Sequence, residues 1–88
     1  MAMKWNRRSG TVLDAERSPV QGALVAVEWG TAPTPEIAIE TEGDGRFSIA
    51  LPAEGRYRLR ATALDGTTGL REIEGAGLGE IVIELERR

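Results

Sequence analysis

The 88 residues carry 11 basic and 14 acidic side chains, a net charge of −3, which is enough chain for one domain around one continuous core. With neither cysteine nor histidine, the chain has no thiol nucleophile, imidazole base, disulfide or zinc site of common type. The mildly acidic balance makes a poor general binder of nucleic acid, and no apolar run reaches the ~20 residues of a membrane span.

Residues 1–8 are set apart as an amino-terminal arm, in which Met1, Met3 and Trp5 alternate; the arm either adds a strand or stays loose. Its two arginines stand where a secretory signal needs an apolar segment, so no export signal is expected. From there the dominant period is two, which marks strands with one buried face. A short first strand is expected over residues 9–14, with Val12 inward. The second, over 22–29, turns Ala23, Val25, Val27 and Trp29 to one side. Pro33 and Pro35 then interrupt any ladder. Ile37 and Ile39 mark a third strand, and Gly43-Asp44-Gly45 turns it into a fourth with Phe47, Ile49 and Leu51 inward. After Pro52 and Gly55, a fifth places Tyr57, Leu59 and Ala61 on one face and Arg56, Arg58 and Arg60 on the other. In residues 69–74, Leu70 and Ile73 fall on opposite faces, as in an edge strand or a bulge. A glycine-rich loop over 75–79 leads to the last strand, with Ile81, Ile83 and Leu85 inward. The expectation is all-β: a seven-stranded, two-sheet Greek-key β-sandwich over residues 9–88.

Several short motifs recur in a fixed order. They are Gly10-Thr11-Val12-Leu13-Asp14, then Pro19-Val20-Gln21-Gly22-Ala23, Thr41, Asp44-Gly45-Arg46-Phe47, Leu51-Pro52 and Gly55-Arg56-Tyr57, closed by Ile81-Val82-Ile83. As a set they resemble the carboxypeptidase regulatory-like domains of the transthyretin-like (prealbumin-like) group, over about residues 9–85. The resemblance implies a transthyretin-like fold and a non-catalytic module attached to a larger protein. Tyr57 resembles a tyrosine corner, its ring in the core and its hydroxyl on nearby backbone. Related folds with chemistry fail on inventory. Transthyretin-related hydrolases need histidine, and intradiol dioxygenases need histidine with more than one tyrosine. Isopeptide-forming surface domains need a lysine in the first strand and Asn or Asp in the last, whereas Lys4 precedes the first strand and residues 80–86 hold neither. No cofactor is implied.

Candidate contact residues are few. Arg56, Arg58 and Arg60 form an outward stripe, with Arg46 outward on the preceding strand. They suit an anionic ligand, or else pair with the outward carboxylates of Glu28, Glu40, Glu80, Glu84 and Glu86. Trp29 either covers the core or stands at the rim to stack a sugar or a partner. Trp5 has no core position and either is available to a neighbouring domain or belongs to a tag-like or frayed segment. Glu42, Asp44, Asp14 and Asp65 lack EF-hand spacing, and turn hydrogen bonding accounts for loop aspartates.

The leading functional expectation is a non-catalytic module that spaces, stabilises or docks a larger polypeptide, its partner another protein or neighbouring domains of its own chain. The alternative is a carbohydrate- or anion-binding module using Trp29 and the Arg56/Arg58/Arg60 stripe. A third reading, a small enzyme, would have to work with carboxylates, Ser, Thr or Tyr alone. Pairing through the 69–74 edge and the arm would give a homodimer. A module of a larger protein favours an extracellular or cell-envelope location, and a free-standing one the cytoplasm.

Overall fold

The computed structural model describes residues 4–34 and 38–86. Within them the chain forms β1 (Trp5–Leu13), β2 (Leu24–Gly30), β3 (Ala38–Glu40), β4 (Arg46–Pro52), β5 (Arg56–Thr62), β6 (Thr68–Glu74) and β7 (Ile81–Glu84), with no helix among the described residues. The strands make two sheets, ordered β4-β1-β7 and β3-β2-β5-β6. Every ladder is antiparallel except β1 with β7. The fold is the all-β sandwich expected from the period-two pattern, and β6 is an edge strand.

The inward faces converge on one core. Val12, Ala23, Val25, Phe47, Ile49, Leu51, Tyr57, Leu59, Ala61, Ile81, Ile83 and Leu85 are buried as expected. Val27 and Ile39 are only partly buried against them, while Ile73 of β6 joins the core, which the sequence pattern did not place there. Ile37 lies outside the described residues, as do Met1, Met3 and Pro35.

The first strand differs most from expectation. β1 starts at Trp5 rather than residue 9, and Trp5 stands opposite Pro52 and Arg8 opposite Ile49. Part of the stretch set apart as an arm is therefore already paired within the sandwich. The reason lies in its inward positions, which hold Asn6 and Arg8 instead of apolar side chains. Asn6 Nδ2 donates to the Gly75 carbonyl at 2.8 Å. The Arg8 guanidinium, only 7 % exposed, donates to the carbonyls of Glu74 and, at 3.4 Å, Gly79. A buried cation is tolerated only when its donors are satisfied, and here backbone carbonyls do that.

Tyr57 is the corner the sequence suggests. Its ring is fully buried, and its hydroxyl donates to the carbonyls of Glu54 at 3.0 Å and Pro52 at 3.2 Å. Burial pushes the phenol above its ordinary value of 10.0. An acid whose pKa is higher in the folded state gives stability that is complete below the unfolded value and is lost as pH rises through the folded one. Tyr57 is the only tyrosine, so tyrosinate absorbance reports it alone. The titration is expected above the ordinary phenol value, with the melting temperature falling in the same alkaline window and Tyr57→Phe flattening that fall. An unshifted titration would contradict the buried corner.

Candidate functional site

The arginine stripe lies on the outer face of the four-stranded sheet. Strand alternation sends Tyr57, Leu59 and Ala61 inward, so Arg56, Arg58 and Arg60 point out. Register places Glu74, Glu72 and Leu70 of β6 opposite them in that order. On the other side, Ala26 of β2 stands opposite Arg60.

Trp29 does not sit on the inward phase of β2. The pairing shifts between Val27 and Trp29: Val27 is opposite Leu59, Trp29 is opposite Arg58, and Glu28 is the extra residue. Such a bulge breaks the period of two. It brings Trp29 to the outer face, 50 % exposed, beside the arginines.

Charge on this face is largely matched locally. Arg58 donates from Nε and Nη2 to Glu72 Oε2 at 3.2 and 2.8 Å, and its Nη1 lies 3.8 Å from Glu28 Oε2. The Glu72 hydrogen bond, then its charge, raise the Arg58 pKa above its ordinary value, with Glu28 adding to this. Arg60 pairs with the other Glu28 oxygen. Arg56 makes no ion pair among the described residues. Together Trp29, Arg56, Arg58, Glu72 and Glu74 line an open depression of ≈ 400 Å³.

The remaining candidates lie elsewhere. Arg46 was expected beside the stripe, but β4 pairs with β1 in the other sheet, because the chain crosses between sheets after Pro52 instead of forming a β4–β5 hairpin. Its Nη2 lies 3.8 Å from Glu80 Oε1. Trp5, 48 % exposed, begins β1 on that same three-stranded sheet. The loop aspartates build their own turns: Asp14 Oδ1 accepts from the Glu16 and Ser18 amides, Asp44 from Arg46 and Asp65 from Thr67. No group of three or more potential metal-ligating side chains comes together among the described residues.

Glu72, which pairs with Arg58, and Glu74, which stands opposite Arg56 in register, are the carboxylates of this face that the sequence pattern missed. Their alternation with Ile73 was the available signal, obscured by Leu70 three residues before Ile73.

The sequence matches the carboxypeptidase regulatory-like domain over residues 9–80. No curated protein matches the chain. The matched stretch covers most of its length and includes β2 to β6 with the greater part of β1. Domains of that family are non-catalytic β-sandwich modules, typically parts of larger chains. The buried Phe47 after the 43–45 turn, the Tyr57 corner and the two-sheet core agree with that match. This chain therefore belongs to the carboxypeptidase regulatory-like domain family.

Proposed function

We propose that the domain is a non-catalytic spacer that holds neighbouring parts of a larger polypeptide in line. The observation that carries this reading is the parallel pairing of β1 with β7, from Gly10 opposite Ile81 to Leu13 opposite Glu84. Parallel strands start at one end and finish at the other. The start of β1 and the finish of β7 therefore lie at opposite ends of the strand direction that the two share. Trp5 stands beside Pro52 at the start of β1, and the Leu85 amide donates to the Leu13 carbonyl at 2.8 Å at the finish of β1 and β7. A polypeptide passing through the domain comes in at one end and leaves at the other. An antibody raised against the domain tests this in the cells that make it: the expected band runs far above 9.5 kDa, and a band at 9.5 kDa would contradict a spacer.

A second reading is favoured by Trp29. An exposed indole beside two arginines and two glutamates gives a stacking surface with both donors and acceptors, which suits a sugar ring. Because Glu28 and Glu72 already pair with Arg58 and Arg60, a neutral oligosaccharide fits this face better than a polyanion. Trp29→Ala is expected to abolish saturable oligosaccharide binding while leaving the melting curve unchanged. Flat titrations of the unaltered domain against a neutral glycan panel would remove this reading.

A further inference from the structure

We propose that this domain carries tension between its two ends, with the seam between β1 and β7 as its shear clamp. The inference rests on the in-line reading above and adds a mechanical property to it.

Tension applied at the two ends draws β1 toward its own start and β7 toward its own finish. Because the strands are parallel neighbours, these pulls oppose each other along one shared seam. The ladder bonds run across the pull, so the four register pairs from Gly10–Ile81 to Leu13–Glu84 are strained together instead of opening one by one. The bond from the Leu85 amide to Leu13 adds one more. β1 is also the central strand of its sheet, held on its far side by seven register pairs with β4. It can leave only by sliding between both neighbours. A slide of one residue would drive every inward side chain to the wrong face, taking Val12 out of the core.

The first half of β1 has no β7 beside it, and side chains continue the seam there. Asn6 holds the Gly75 carbonyl and Arg8 that of Gly79, both in the segment leading into β7, and Arg8 also holds the carbonyl of Glu74, the last residue of β6. In the half that β7 does pair, Thr11 Oγ1 donates to Glu80 Oε1 at 2.8 Å, just ahead of Ile81. Arg8 is nearly sealed from solvent, so water competes poorly for its bonds. The two polar inward residues that hide this half of β1 from the hydrophobic pattern thus have a mechanical role.

Forced unfolding is governed by the barrier to opening, which depends on the direction of pull. The test is single-molecule stretching in two geometries. In one, handles are joined to the two ends. In the other, one handle is joined to Glu16→Cys, in the turn after β1, and the second to the carboxyl end, so that β7 peels from β1 bond by bond. The chain has no cysteine of its own, so attachment is unique. The rupture force is expected to be several-fold higher end to end than in peeling at the same loading rate. Asn6→Ala and Arg8→Met should narrow that ratio. Equal forces in the two geometries of the unaltered domain would overturn the clamp, even if a variant fails to fold. That failure is distinguishable from failure of the spacer reading, which the size of the native product decides.

Discussion

Phe47→Ala is expected to destabilise the domain by about 3–5 kcal/mol, the usual cost of truncating a buried phenylalanine. Phe47 is the chain's only phenylalanine and is 3 % exposed. It is the first inward side chain after the tight turn at Gly45, whose φ of 77° places it in the left-handed region that glycine tolerates. Directly across the ladder is Gly10, where an added Cβ would come within 2.7 Å of the Phe47 Cζ. The ring therefore fills the space that Gly10 leaves open, beside Ile81. Nothing nearby can collapse into the hole without bending β1 and its seam to β7. Domains of this size have total stabilities of about 5–15 kcal/mol, so the variant should be largely unfolded in mild urea. A variant melting within a few degrees of the parent would mean that Phe47 is not a core residue.

Gly75→Ala is the second large effect, and here the damage comes from adding atoms. A Cβ at Gly75 would collide with the Pro52 carbonyl oxygen and come within 3.1 Å of Tyr57 Cε2 and 3.2 Å of the Ala53 oxygen. None of these groups can yield easily. The Pro52 carbonyl accepts from the Tyr57 hydroxyl, Gly75 donates to the Gly55 carbonyl at 3.0 Å, and its own carbonyl accepts from Asn6. Overpacking a well-filled site costs about 1–3 kcal/mol, and this one loosens the tyrosine corner and the start of β1 together, so the upper end of that range or beyond is expected. Gly43→Ala is the control. An added Cβ there meets nothing within 4 Å, so urea unfolding should stay within about 0.5 kcal/mol of the parent. Equal midpoints for Gly75→Ala and Gly43→Ala would contradict the close packing at Gly75.

Phe47 belongs to a strand whose alternation is plain in the sequence, whereas Gly75 lies in the loop between β6 and β7. β2, β4, β5 and β7 have apolar inward faces over most of their length, and a period of two reveals them directly. Three local departures were not legible in that way. β1 extends four residues earlier because Asn6 and Arg8 face inward and are satisfied by carbonyls at the end of β6 and in the loop after it, about seventy residues away, which no local pattern encodes. Trp29 changes face because a bulge at Glu28 inserts one residue, and a bulge leaves no fixed sequence mark. Arg46 leaves the stripe because consecutive strands β4 and β5 belong to different sheets, and strand order in sequence does not fix which strands pair. β6 shows the edge-strand case: Arg71 stands opposite inward Leu59 yet stays exposed, so its seven residues bury only Gly69 and Ile73. Thr41 belongs to the resemblance motifs without an evident reason in the sequence. In the structure it is buried, accepting from the Ala23 amide at 2.9 Å and donating to the Val20 carbonyl at 2.6 Å. It fastens the approach to β2 against the chain leaving β3.

The measurement that tests the in-line spacer most directly is the distance between two folded reporters, one fused to each end of the domain and read by small-angle scattering. An in-line spacer gives a single extended particle with the reporters at opposite ends of the strand direction that β1 and β7 share. Reporters lying side by side at one end of the sandwich would contradict it.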